Sequence, residues 1–353
     1  MNRTGSGMSE TKTTGTSGTG TGPEPAARDR VTAFAVRHRR PLLLGVLLLA
    51  ALWAPFELVP FRVFQLTMVM VYAVALIGLN LLVGHAGQIS LGHGAFFAVG
   101  AYGTAATMYH WDVPYLLTFP LAAALTFAIG LALGVPATRL RGLYLALVTL
   151  AIAIFLVPLL KRFESVTGGS MGLTLEKPAP PSWTGLAPDQ WLYFLALAGT
   201  VLAFAVVGFL LRSRVGRALH SVRDNETAAE VMGVRPASYK RLAFAWSAMF
   251  AGAAGCLYTW TIGFVSPDSF TVNVSITLLA AIVVGGLGST AGPLLGGLFM
   301  MFVPSLSQDV NDAAPGVIFG LLIIAVMYVA PTGLAGLPGR IAPWTTDKIL
   351  RKR

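Results

Sequence analysis

The chain has 353 residues, 55% of them hydrophobic and only 11% charged, with a mean hydropathy of +0.70. Soluble domains carry roughly 25% charged residues, so the composition excludes a soluble enzyme or binding module and points to an all-α polytopic membrane protein. The net charge of +10 would suit a nucleic-acid partner, but its distribution along the chain belongs to membrane topology and makes nucleic acid unnecessary.

Residues 1–27 are rich in Gly, Thr and Ser without an apolar run, which predicts a disordered cytoplasmic tail. Residues 28–41 form a basic juxtamembrane segment containing Arg37, Arg39 and Arg40. A permease-like domain of about ten transmembrane helices then extends over 42–331, and 332–353 form a second cytoplasmic tail. The predicted spans are 42–56, 64–83, 90–109, 115–135, 143–160, 191–211, 242–260, 275–284, 292–306 and 316–330, several of them short or broken by glycine. With the N-terminus inside, the cytoplasmic segments hold 21 Lys and Arg and the outer segments 4, together the full 25. Basic residues favour the cytoplasmic side, so both termini are expected in the cytoplasm of a cell whose plasma membrane the chain crosses.

Two stretches interrupt the oily pattern. In Asn80–Gly100, Gly84, Gly87, Gly92 and Gly94 let the chain turn or let a neighbouring helix approach, while Gln88 and Ser90 can satisfy freed backbone groups. Broken helices are tolerated in lipid only where protein or a cavity surrounds them. The stretch therefore reads as a break beside a permeation route, a tight helix contact, or a loop between spans. His85 and His93 match no metal-ligand spacing, which leaves them packing or hydrogen-bonding roles. His38, His110 and His220 fall in polar margins.

The second interruption, Val283–Gly297, carries Gly285, Gly286, Gly288 and Gly292. Its VGGLG repeats the VGxxG of Val83–Gly87, and paired broken segments are what a duplicated transporter shows. The match is short and dominated by glycine, so the repeat is a suspicion. No span centre contains Asp, Glu, Lys or Arg, which argues against proton coupling and leaves a channel possible. Cys256, the single cysteine, has no internal disulfide partner and is expected to pack.

Between them, residues 212–241 are longer than a connector requires. Gly216–Met232 is predicted as one amphipathic helix with Val215, Leu219, Val222, Ala229 and Met232 on one face and Gly233 just past its end. Helices that lie on lipid are richer in Lys and Arg opposite bulky apolar residues. This one mixes acids and small residues, which favours docking to a protein. The sequence has no GxxxxGK[ST], so any ATP-driven transport needs a separate ATPase. No catalytic constellation, cofactor site or metal cluster rises above background.

Taken together, Gly78–Tyr102, Gly142–Ala151, Gly216–Val234, Lys240–Tyr258 and Ser275–Gly297 resemble the LivM-type membrane permeases of ABC importers for branched-chain amino acids. The resemblance covers about Arg62 to Pro331. It implies a permease core, a second related permease of the LivH kind, two ABC ATPase subunits and an extracytoplasmic substrate-binding protein, with membrane lipid around the spans. ATP would be used by the partner subunits, and this chain would bind no cofactor. The same resemblance makes Gly216, Arg217, Ala218, Arg223, Ala228, Ala229 and Gly233 part of the ATPase-coupling loop, and Glu226 and Glu230, acids of the same segment, are expected to belong to it. Relatives that move urea or short amides keep the substrate open, as does a more distant reading as a passive channel.

Overall fold

The structure is a computed structural model that describes residues 45–46, 48–140, 142–308, 315–330 and 333–336. The expected tails, together with Asp309 and Asp312, lie outside the described residues.

Each of the ten predicted spans contains a helix. They are α1 (Leu48–Glu57), α2 (Pro60–Leu79, continued by a π-helical turn Asn80–His85), α3 (His93–Trp111), α4 (Tyr115–Ala137) and α5 (Leu143–Arg162). A short α6 (Glu164–Thr167) precedes α7 (Pro188–Arg212), α8 (Arg214–Asp224) and α9 (Glu226–Val231). The remainder are α10 (Pro236–Ile262), α11 (Val272–Gly285), α12 (Gly292–Gln308) and α13 (Pro315–Val329). Six segments are long and apolar enough to cross a bilayer: Pro60–His85, Tyr115–Ala137, Leu143–Arg162, Pro188–Arg212, Pro236–Ile262 and Pro267–Gly285. Shorter apolar helices accompany them, so the protein is an all-α, multi-pass membrane protein, as a plasma-membrane transport core requires.

Burial ranks the helices. The apolar windows of the α2 segment and α10 are 83% and 78% buried, against 22–39% for α4, α5, α7 and α11. The two sequences explain their central position differently. α2 is apolar on all sides, which suits a helix surrounded by others. α10 is built from Ala, Gly and Ser, so neighbouring backbones can come close. A Cβ added at Gly252 would strike Thr126 of α4, and one at Gly255 would strike the Phe97 carbonyl of α3. Buried hydroxyls and indoles pair across this seam: Trp260 Nε1 donates to Thr118 Oγ1 at 3.2 Å, and Thr259 Oγ1 donates to the Ala101 carbonyl at 3.1 Å. Cys256 is buried there.

The connections gather at two ends. At one, Lys161 pairs with Asp268 at 2.7 Å, and two-residue strands β1 (Leu173–Thr174) and β2 (Phe264–Val265) pair antiparallel. Gln190 also donates to the Pro55 carbonyl at 3.0 Å. At the other end, the α2–α3 and α11–α12 breaks meet α8. α11, with 14 residues, is about 21 Å long at 1.5 Å per residue, less than the roughly 30 Å hydrocarbon core. Its terminal glycines therefore need partners from the protein.

One sequence expectation is corrected. The single helix over Gly216–Met232 is two helices, interrupted at Asn225, whose backbone is extended (φ −157°, ψ 106°). Asn225 Oδ1 accepts from the Ala228 N–H at 3.0 Å, capping α9. Leu219, Val222 and Ala229 are buried and Val215 partly so, but Met232 is 84% exposed and has left the expected face.

Candidate functional site, two helix breaks joined by Asn80 and Arg223

The first break begins where α2 widens into the π-turn. A π-turn adds one residue to each hydrogen-bonded ring and recurs at functional positions; here the Ala86 N–H reaches back to the Leu81 carbonyl at 3.1 Å. Asn80 sits at the start of that turn and is buried. Its Oδ1 accepts from the Gly288 N–H at 2.7 Å, and its Nδ2 donates to the Ser289 carbonyl at 2.8 Å. One amide thus satisfies both a donor and an acceptor freed by the second break. Both bonds are partly buried, and each contributes about 0.5–1.5 kcal/mol.

The two breaks share a backbone solution. Gly87 and Gly288, the last residues of the two VGxxG stretches, have φ of +67° and +73°, a region costly for side chains. They also touch through Gly84, where a Cβ would stand 2.6 Å from the Gly288 nitrogen. Ser289 Oγ bridges the second turn, donating to the Gly286 carbonyl at 3.0 Å and accepting from the Gly292 N–H at 2.8 Å. Gly285 packs on the α12 backbone, so that a Cβ would lie 2.9 Å from the Gly296 nitrogen.

Arg223, on α8, reaches this pair from outside. Its guanidinium donates to the Gly84 carbonyl. Its side chain lies against Gly87, where a Cβ would be 3.2 Å from Arg223 Cγ, and its Nη1 is 3.8 Å from the corresponding position on Gly288. A second link lies beside it: His85 Nδ1 is 3.3 Å from His220 Nε2, and His220 Nδ1 is 2.8 Å from the Gly216 carbonyl. A carbonyl can only accept, so His220 Nδ1 carries a proton. When that ring is neutral, His220 Nε2 accepts from His85.

The other sequence-predicted residues differ in where they pack. Ser90, Gly92 and Gly94 turn away from α8 toward α5 and α11. Ser90 Oγ accepts from Gly92 N at 3.3 Å, Thr149 Oγ1 accepts from Leu91 N at 2.9 Å, and Ser275 Oγ accepts from Gly94 N at 2.9 Å. Gly216, Ala218 and Ala229 are buried and seat α8 and α9, and a Cβ on Gly216 would strike the Leu211 carbonyl. Glu226 pairs with Lys240 of α10 at 2.7 Å. Arg217, Ala228, Glu230 and Gly233 lie on the exposed side, with Val231 and Met232 uncovered among them. Gly233 has φ +84° and no neighbouring atom within 4 Å of an added Cβ. Gln88 is buried, its Oε1 without a hydrogen-bond partner.

Asn80 and His220 were missed as site residues. An amide in the glycine-flanked end of a long apolar helix was the available signal for Asn80. His220 offered none, because its partner lies 135 positions away. Among the described residues, no group of three or more His, Cys, Asp or Glu could hold a metal ion.

Residues 61–331 match the family described as branched-chain amino acid transport system / permease component. The chain belongs to this permease family. It is 35% identical to the high-affinity branched-chain amino acid transport system permease protein LivM of Salmonella typhimurium, over 83% of this chain and 74% of that protein. The corresponding LivH protein of Escherichia coli is 26% identical, over 76% of this chain and 92% of its own. A solved chain, PsaBC from Streptococcus pneumoniae in complex with Fab, shares 14% identity over 77% of this chain and 91% of its own, with a TM-score of 0.38. That likeness is too slight to add to the assignment. The permease is thus a transport subunit of the ABC importer class.

Proposed function

We propose that this permease moves branched-chain amino acids into the cell by alternating access. It would work beside a second, LivH-like permease, two ABC ATPase subunits on the cytoplasmic face and an extracytoplasmic binding protein. The excess of basic residues on one set of loops makes the α8–α9 end cytoplasmic. The binding protein would then meet the opposite end, where Met171 and Trp183 are exposed between α5 and α7.

The observation that carries the mechanism is the attachment of α8 to the first break through Arg223, and of the first break to the second through Asn80. α8 and α9 present Arg217, Ala228, Glu230, Val231 and Met232 outward, a surface of mixed charge and uncovered apolar groups suited to a protein partner. ATP binding by the partner would press on that surface. Arg223 and the His85–His220 contact would carry the displacement into Gly84–Gln88, while Asn80 ties Gly285–Gly292 to the same motion. Broken helices can shift in this way because their backbone groups already rely on side-chain partners.

The substrate reading rests on the family and on relatives whose names specify branched-chain amino acids. It is tested by uptake into proteoliposomes holding the complete complex. Binding-protein- and ATP-dependent accumulation of leucine, isoleucine or valine is expected. Accumulation of urea or short amides instead, with none of these three, overturns it.

A further inference from the structure

A cleft of about 250 Å³ opens beside the first break, between the α4–α5 turn, the α8–α9 junction and the start of α10. Drug-sized pockets run to about 300–1,000 Å³, so this volume suits a small solute. Its walls are chemically divided. Leu140, Leu145 and Val222 supply apolar surface. Arg223 and Lys240 supply cations and Asp224 and Glu226 carboxylates, with Lys240 already paired to Glu226, so that Arg223 is the cation left for a ligand. Gln88 also lines the cleft; it is 6% exposed, and its Oε1 is a buried acceptor without a partner. A buried acceptor left unfilled costs about 1–3 kcal/mol, so an incoming N–H donor gains there.

This set matches the two charges and the side chain of one ligand class. We propose that the cleft binds a free aliphatic α-amino acid from the ATPase side and that occupancy restrains α8 and α9, so that accumulated product slows import. The ammonium group faces Gln88 Oε1 and Asp224. The carboxylate faces the N–H groups of Arg223 not directed at Gly84, and the aliphatic chain lies on Leu140 and Val222. The restraint follows from position, because one ligand would span the first break, the Asn225 interruption and α10. The inference rests on the branched-chain reading for the identity of the product, and on the cleft alone for the site.

The test uses the permease pair with its ATPases in nanodiscs, without binding protein, and radiolabelled L-leucine as probe. Saturable binding with a Kd at or below about 1 mM is expected. Leu140→Trp, which fills the cleft, and Asp224→Asn, an exposed change that spares the packing, should each weaken it at least tenfold. Leucinamide and isovalerate, each lacking one charge, should compete poorly. With loaded binding protein added, leucine on the ATPase side should lower the ATPase rate of the unaltered complex and leave the rate of the Leu140→Trp complex unchanged relative to its own leucine-free value. Absence of saturable binding, or binding unaffected by both variants, overturns the site. Leucine uptake without cleft binding sinks this inference alone, whereas cleft binding without leucine uptake sinks only the substrate reading.

Discussion

The guanidinium of Arg223 donates a hydrogen bond to the carbonyl of Gly84, tying a helix outside the membrane-spanning core to the point where α2 stops being helical. Gly84 in turn lies against Gly288. The chain therefore runs from an exposed surface through one cation into two broken helices, and the predictions below follow from its separate parts.

Asn80→Ala should destabilise the permease by about 1–3 kcal/mol, because two partly buried hydrogen bonds are lost together. Asn80→Leu should be no better, since added apolar volume does not satisfy the Gly288 N–H or the Ser289 carbonyl. Thermal unfolding of the detergent-solubilised complex measures this. An unchanged midpoint for both variants would mean the second break is held by other groups.

The glycines should rank by what surrounds them. Gly288→Ala meets only contacts of 3.6 Å or longer, so its cost is the backbone cost of a positive φ, roughly 1–2 kcal/mol. Gly288→Asn should be milder, because Asn tolerates that region. Gly84→Ala should be worse than either, since its Cβ would press on the Gly288 nitrogen at 2.6 Å and force the breaks apart. Assembly yield and uptake of the three variants check the order; Gly84→Ala matching the unaltered protein would remove the close contact from the account.

How much of this was legible in the sequence varies with the physics. Apolar runs marked all six long apolar segments, because lipid exposure or burial must be met residue by residue along a helix. The VGxxG match anticipated two breaks that turn out to share a positive-φ glycine. Counting back from it, however, the place of Asn80 is held by Ala281, so the amide clamp is one-sided and no repeat could reveal it. The interruption at Asn225 was hidden because apolar periodicity carries on through Ala229. Asn225 followed by Glu226 is nevertheless a helix-start pattern, and it was the signal overlooked. The pairings of Arg223 and His220 are tertiary, and local sequence contains nothing that specifies them.

Sidedness is open to direct labelling. On a Cys256→Ala background, cysteine at Met232 should react with an impermeant reagent only from the cytoplasm, and cysteine at Trp183 only from outside. Both native side chains are more than 80% exposed, so access is not limited by burial. The reverse pattern would invert the topology and with it the assignment of α8–α9 to an ATPase.

The outer surface of α9 should matter through contact rather than through folding. Glu230→Lys reverses an exposed charge, and Gly233→Val places a β-branched side chain at φ +84° in open space. Both variants should assemble in the membrane. Substrate-stimulated ATP hydrolysis and uptake should fall together, with hydrolysis normalised to assembled ATPase. Normal values for both would leave this segment a connector.

The most direct measurement is coupling in complexes carrying Arg223→Met or Arg223→Lys, reconstituted with binding protein and substrate. Methionine keeps much of the stem that lies against Gly87 but cannot donate to the Gly84 carbonyl, while lysine keeps a donor without the planar fork. Arg223→Met should assemble normally yet lose most substrate-stimulated ATPase activity and uptake, and Arg223→Lys should retain an intermediate share of both. Full stimulation and uptake with Arg223→Met, in a complex of normal composition, would contradict this coupling.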